Sequence, residues 1–493
     1  MKIFILILAS LLLSTIANAT PSVKIQPAFI LGLWGFASFD RGHFGSSAIE
    51  EAYRTSSVRT PEKNQLLETV RDIARVYFEG NYPFPNAAEG RDEQSWDVFA
   101  HFASQSARSK NLEEFRSRTQ GLIPTLKHQE LFRALEKLSP VYDSLIWKPN
   151  LGQLKKDQSR MESLIKKSGF EKIFAAQKAF YRANWDDKGA FNIRIAPIPA
   201  KSGATHATVI GDTGLVQFLQ GEKDLEGRFG VILHELGHSL YSSESPEFQK
   251  EMALWFTSSK SPTAHFAYND WEEVLSTITG NGWAYEKAAG RIDAGEWYQN
   301  HEYNGWAKGL YPLAKTYFES KRPIDKEFAD TAIALFQTLF PDAARRQRRL
   351  LRNALLISDG TFGSSLDLTK TCLSRGRWIH HCTADISFKK DEVVGSLNQS
   401  DHRKALVIVA QPRELEKFAA LGIPQLKEMA KGIDAVPGYA TALDSEGRLI
   451  LVIQAKSLLQ FSEIFAQVNP DDATPLGNHF TPYSLVTLPI NKP

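Results

Sequence analysis

The chain has 493 residues, 43% of them hydrophobic and 23% charged, with a formal net charge of +2. That length exceeds what one hydrophobic core serves, so two or three domains are expected. The composition excludes a disordered or fibrous protein, and the near balance of charge gives no reason to expect nucleic acid as a partner.

Residues 1–19 read as a signal peptide. Lys2 supplies the positive start, residues 3–13 the apolar core, and Ala17-Asn18-Ala19 the small-x-small cleavage site. That core is too short to span a bilayer, and no later stretch is long and apolar enough to do so. The mature chain is therefore expected to begin at Thr20, exported to the periplasm or the cell exterior, without a transmembrane segment. No Cys follows the cleavage site, which argues against a lipid anchor. In an exported chain, Cys372 and Cys382, the only cysteines, read as a disulfide. His380-His381 beside Cys382 lacks a complementary ligand pair and is not read as a metal site.

Residues 20–40 are apolar and Gly-rich and fit either an entry strand or a short pro-segment. The stretch 20–188 reads as a mainly helical N-terminal region. Leu66, Val70, Ile73, Ala74 and Tyr77 form one stripe there, and Leu131, Leu135 and Leu138 begin another. Pro-containing pieces at 82–86 and 147–150 read as connections.

The period changes at Phe191, where a domain spanning 189–357 is expected to begin. Phe191, Ile193 and Ile195 alternate with polar neighbours until Pro197-Ile198-Pro199 stops the run. Residues 205–210 and 215–219 flank Gly211-Asp212-Thr213-Gly214 as a hairpin. A small antiparallel sheet is expected, its prolines at an edge that could pair with an extended peptide.

Helices return from 246 to 356, with Trp255, Trp271, Trp283, Trp297 and Trp306 as core. Arg345-Arg346-Gln347-Arg348-Arg349 reads as the solvated face of an amphipathic helix, with peripheral contact to an anionic membrane as its other use. Beyond Ser358-Asp359-Gly360, a separate α+β domain is expected over 358–493. Its strands fall at 405–410 and 449–454 and its helices at 413–421 and 457–468. It carries no motif with assignable chemistry, and Asn398-Gln399-Ser400 matches a glycosylation sequon. The fold class is thus α+β, mainly helical.

The chemistry concentrates in His234-Glu235-Leu236-Gly237-His238. Phe229, Ile232, Leu233, Leu236 and Leu240 recur at helical spacing and form the buried back of a helix. His234 and His238 fall together on its front, one turn apart, as two zinc ligands require, with Glu235 beside them as general base. Gly237 between them leaves room for a neighbouring backbone.

Catalytic zinc takes a third protein ligand. The pattern with Gly and His after the second ligand fails, because those places hold Tyr241 and Glu244. The better source is Tyr268-Asn269-Asp270-Trp271-Glu272-Glu273-Val274-Leu275-Ser276. If Asp270 caps a helix, Glu273 completes a capping box and Glu272 is free to turn to the metal. Glu272 is therefore preferred to Glu273.

His234-Glu235-x-x-His238 followed by a helix-borne Glu resembles the gluzincin zinc metallopeptidases, the group containing thermolysin. Asn269-x-x-Glu272-Glu273 is more similar to the anthrax lethal factor-like branch. The resemblance covers roughly residues 191–280. It implies a zincin-like domain of small sheet, active-site helix and helical lower lobe, with Zn2+ held by His234, His238 and Glu272 and Glu235 as base. Ser276 stands where the family has a second acid, and His265 where one family Tyr would lie, with Tyr268 nearby. His265, then Tyr268, then His301 are the candidates for a donor to the oxyanion. The expected activity is hydrolysis of peptide or protein substrates. Cell-wall amide hydrolysis and an inactive zincin-like binding protein are the alternatives; the sequence is silent on oligomeric state.

Overall fold

A computed structural model describes residues 22–38, 46–78, 81–86, 91–186, 189–203, 205–351, 353–358, 368, 381–385, 405–410, 437–443 and 448–468. The expected signal peptide, Cys372, His380, the side chains of His381 and Cys382, the sequon and the 413–421 helix lie outside these residues. The chain is mainly helical with a small mixed sheet, and it forms two compact units that divide between Leu339 and Phe340. Among the described residues no helix is long and apolar enough to cross a membrane.

The first unit opens with β1 (Ser22–Pro27) and the buried helix α1 (Phe29–Ser38), so residues 22–27 are an entry strand. Helices α2 (Ser47–Arg54) and α3 (Pro61–Tyr77) follow, then a hairpin of β2 (Asn81–Asn86) and β3 (Arg91–Asp97). That hairpin was not expected within a helical region. Next come α4 (Val98–Arg108), α5 (Leu112–Arg118), α6 (Thr125–Tyr142), α7 (Lys148–Ser168) and α8 (Phe170–Phe180). The expected connection at 147–150 is instead helical. A π turn at Asp143–Trp147 runs into α7, whose Pro149 sits in the first turn, where its missing N–H costs nothing.

The sheet contains β1, β4 (Ala190–Ile198), β6 (Thr213–Leu219) and β5 (Ala207–Ile210), in that order. The expectation of an antiparallel sheet is corrected here. β1 to β4 and β4 to β6 are parallel, and only the β5–β6 hairpin is antiparallel. Parallel pairing needs a long crossover, and the helices from α1 to α8 provide it. Pro197 lies in a central strand, yet no ladder bond is lost. Ala28 N donates to Ile195 O, so alternate residues of β4 face β1. Pro197 faces the same side two residues later, after β1 has ended. One apolar core joins α1, α3, α4 and α6 to the sheet, including Leu31, Trp34, Phe102, Leu135, Ile198 and Leu215.

After the sheet come α9 (Leu225–Ser242), α10 (Pro246–Thr257) and α11 (Ala264–Thr277). A π-helical segment, Ile278–Ala284, then leads to α12 (Tyr285–Ala289), α13 (His301–Ser320) and α14 (Lys326–Leu339). The five tryptophans assigned to the core are buried, from Trp306 at 0% exposure to Trp255 at 7%.

In the second unit, α15 (Gln347–Leu350) is a single turn, followed by β7 (Asn353–Ser358), β8 (His381–Asp385), β9 (Ala405–Ala410), β10 (Gly438–Leu443), β11 (Leu449–Gln454) and α16 (Leu458–Phe465). The sheet order is β10-β11-β9-β7-β8, parallel except for β10–β11. Helical structure was expected to run to 356. Leu355 and Leu356 instead belong to a buried strand, as a short continuous apolar run allows. The arginine run is not a solvated helix face either. Arg349 is 7% exposed, and Arg346 pairs with Asp342 at 3.2 Å.

Candidate metal centre

Helix α9 begins at Asp224, whose side chain accepts from Gly227 N at 2.9 Å. Its apolar stripe is buried as the spacing requires, with Phe229, Ile232, Leu233, Leu236 and Leu240 at most 1% exposed. Three glycines let α9 approach the chain that follows α11 very closely. A Cβ on Gly280 would lie 2.2 Å from His234 N, and one on Gly237 would lie 3.0 Å from Ser276 Oγ. Gly230 in turn faces the Gly280 carbonyl. Side chains at these places would hold the two segments apart.

This contact sets the tautomers of both histidines. The π segment brings Asn281 Oδ1 to 3.0 Å from His234 Nδ1, and Glu272 Oε1 lies 2.9 Å from His238 Nδ1. Each Nδ1 faces an acceptor and so carries the proton, which leaves the lone pair on Nε2. The two Nε2 atoms are 3.1 Å apart. Glu273 closes the set, with Oε1 3.2 Å from His234 Nε2 and Oε2 3.5 Å from His238 Nε2. Two imidazole nitrogens and a carboxylate facing one point form a set that could hold a metal ion. Ligand atoms of His234, His238 and Glu273 all lie within 4.8 Å of one another, and two imidazoles with one carboxylate suit zinc.

The two adjacent glutamates are thus placed in the opposite sense to the preference for Glu272. That preference rested on Asp270 capping a helix. Helix α11 instead starts at Ala264 after Thr263. Its apolar stripe, Ala264, Ala267, Trp271, Val274 and Leu275, begins well before Asp270 and carries the helix straight through it. Asp270 is buried mid-helix, where it accepts a 3.4 Å bond from the Tyr303 hydroxyl. With no capping box, the helical phase decides. It turns Glu273 to the Nε2 atoms and Glu272 to the outer nitrogen of His238.

The electrostatics follow this layout. Burial alone would raise the Glu273 pKa, but its bond to His234 and the two imidazoles outweigh burial and hold it at about 2. Burial lowers the His238 pKa, yet the Glu272 bond with the nearby carboxylates raises it to about 9, so a metal taking its Nε2 lone pair at neutral pH would displace a proton from that nitrogen. Glu235 is 7% exposed. Burial raises its pKa, the two histidines act against this, and Glu273 adds to it.

His265 is exposed on α11 with its ring against Phe266. It lies seven residues before Glu272, about 10 Å along the helix axis, on the Glu272 face and not the Glu273 face. Tyr268 is 38% exposed and packs on Phe256. His301 is exposed at the start of α13. The hydroxyl set beside the centre belongs to Tyr298, which sequence reasoning missed. Its ring stacks on His234 at 5.9 Å and its hydroxyl bonds Glu273. Burial, then Glu273, pushes its pKa up, so it keeps its proton. Tyr298 sits in an irregular loop whose adjacent Trp297 is anchored over Gly282 and against Tyr311. No local spacing marks such a residue.

No family model, curated protein or solved structure matches this chain.

Proposed function

We propose that this chain is an exported zinc-dependent peptidase with a gluzincin-like, zincin-type catalytic arrangement. In this reading His234, His238 and Glu273 hold the metal. The observation that carries it is the convergence of both Nε2 lone pairs and the Glu273 carboxylate on one point beside Glu235. Bound zinc would supply Lewis acidity and lower the pKa of its water to about 7.

The chain's own residues do the rest. Glu235, its pKa raised by burial, takes the proton of the attacking water and returns it to the leaving amine. Asn281 and Glu272 fix the imidazoles in the tautomer that offers Nε2. Tyr298, protonated and against His234, turns its hydroxyl from Glu273 to the oxygen of the scissile carbonyl and donates to it as charge develops there. An extended peptide substrate adds to β5, the outer strand of the sheet, which packs along α9.

The test is Glu235→Gln in the full chain. One zinc per chain should remain while hydrolysis of a mixed peptide pool disappears. Retained turnover, or a parent protein that binds no zinc after metal is added, would refute the proposal.

A further inference from the structure

The N-terminal helices form a polar cavity of about 280 Å³ between α2, α3 and the turn that joins them. None of its lining residues belongs to the metal centre. Its volume lies just below the range of about 300–1,000 Å³ common for small-molecule sites. Leu67 and Tyr53 supply an apolar wall, at 4% and 7% exposure, and the Tyr53 ring packs edge-on against Phe36 at 5.6 Å. Asn64 Oδ1 accepts from the Tyr53 hydroxyl at 3.1 Å and from Arg59 Nε at 3.4 Å. Two donors on that oxygen fix the amide, so its N–H groups face away from both and have no acceptor among the described residues.

Three arginines line the cavity. Arg54 is held by Glu51 at 2.6 Å and Arg71 by Glu68 at 3.3 Å, whereas Arg59 has no carboxylate partner among the described residues. Burial raises the Tyr53 pKa and Arg59 and Arg71 act against it, so both guanidiniums lie near that hydroxyl. Glu50 and Glu68 share the lining, which leaves little positive charge in excess.

We propose that this cavity binds a small organic monocarboxylate, its carboxylate on the Arg59 guanidinium and the Asn64 amide and its apolar body against Leu67 and Tyr53. An unpaired guanidinium beside a neutral N–H donor matches a planar anion. A singly charged group fits better than a phosphate, because Glu50 and Glu68 repel a second negative charge. The site does not depend on the zinc reading above.

The experiment is a calorimetric titration of the full chain, first dialysed against a chelator, with benzoate as the probe at fixed ionic strength. The parent should bind benzoate saturably and benzamide, the same body without the charge, about tenfold more weakly or worse. Phenyl phosphate should also bind more weakly than benzoate. Arg59→Gln removes the charge, and Asn64→Asp removes the N–H donors while its carboxylate still accepts from Tyr53. Each should lower benzoate affinity about tenfold or more. Arg54→Gln, whose guanidinium Glu51 already engages, should bind as the parent does. No saturable binding, equal binding of benzamide, or tighter binding of phenyl phosphate overturns the proposal. Undiminished affinity in either Arg59→Gln or Asn64→Asp also overturns it and marks benzoate as an adventitious additive only. Zinc per chain, measured before chelation, should not differ among these variants, so the two readings fail separately.

Discussion

His238 stands between two carboxylates from adjacent residues: its Nδ1 is 2.9 Å from Glu272 and its Nε2 is 3.5 Å from Glu273. One ring thereby assigns different roles to neighbours that look interchangeable in the sequence. In the proposed centre, removing the Glu273 carboxylate deletes a ligand, so Glu273→Gln should abolish stoichiometric zinc. Removing that of Glu272 loosens the orientation of one ligand, so Glu272→Gln should keep one zinc per chain with affinity reduced about 10–100-fold. Atomic absorption after dialysis distinguishes the two, and the reverse result would restore Glu272 as the ligand.

Tyr298 touches both His234 and Glu273 without being a ligand candidate. If its hydroxyl stabilises developing charge, Tyr298→Phe should retain zinc and lower kcat about 100-fold with little change in KM. Zinc loss in this variant would make Tyr298 a support for Glu273 and no more.

A Cβ at position 280 meets His234 N at 2.2 Å, Gly230 O at 2.5 Å and His234 Cα at 2.5 Å, all of them backbone. None of these atoms can turn aside as a side-chain tip can. Gly280→Ala should cost about 3 kcal/mol or more in denaturant unfolding, at the upper end for overpacking, and weaken zinc binding in step. Gly295→Ala, whose Cβ meets only the Asp293 carboxylate at 3.3 Å, serves as the control and should be far milder.

Glu244 is buried just past the end of α9, and that burial makes stability depend on pH. Its pKa of about 9 in the folded chain exceeds its usual 4.5, so the folded state holds a proton that the unfolded chain releases between those values. Stability therefore falls as pH rises through that window. At neutral pH the cost is about 3 kcal/mol. Glu244→Gln should recover as much as that at about pH 7 and nothing below about pH 4, measured by urea unfolding at each pH. An equal gain at both pH values would mean that Glu244 is already charged in the folded chain.

Much of this was legible from local pattern. Five apolar residues at helical spacing determined that residues 229–240 form a helix with a buried back, and the same spacing placed His234 and His238 together on its front. Alternation at Phe191, Ile193 and Ile195 and the residues around Gly211 specified the strands and hairpin, because such signals act over a few residues. Sheet direction was not of this kind. β1 and β4 are separated by the helices from α1 to α8, and pairing over that distance depends on how the helices pack.

The third carboxylate was likewise decided in three dimensions. Glu272 and Glu273 are chemically identical, and which one faces Nε2 depends on the phase of α11, set where its apolar stripe starts at Ala264. Asn281 and Tyr298 became visible only once the π segment and the Trp297 loop were packed around α9. The sequence by itself determined the helix and the two imidazoles, because helical periodicity is a local property. Only the tertiary structure decided what faces them, because those groups lie on other segments, brought together by burial and by glycines that permit close backbone approach.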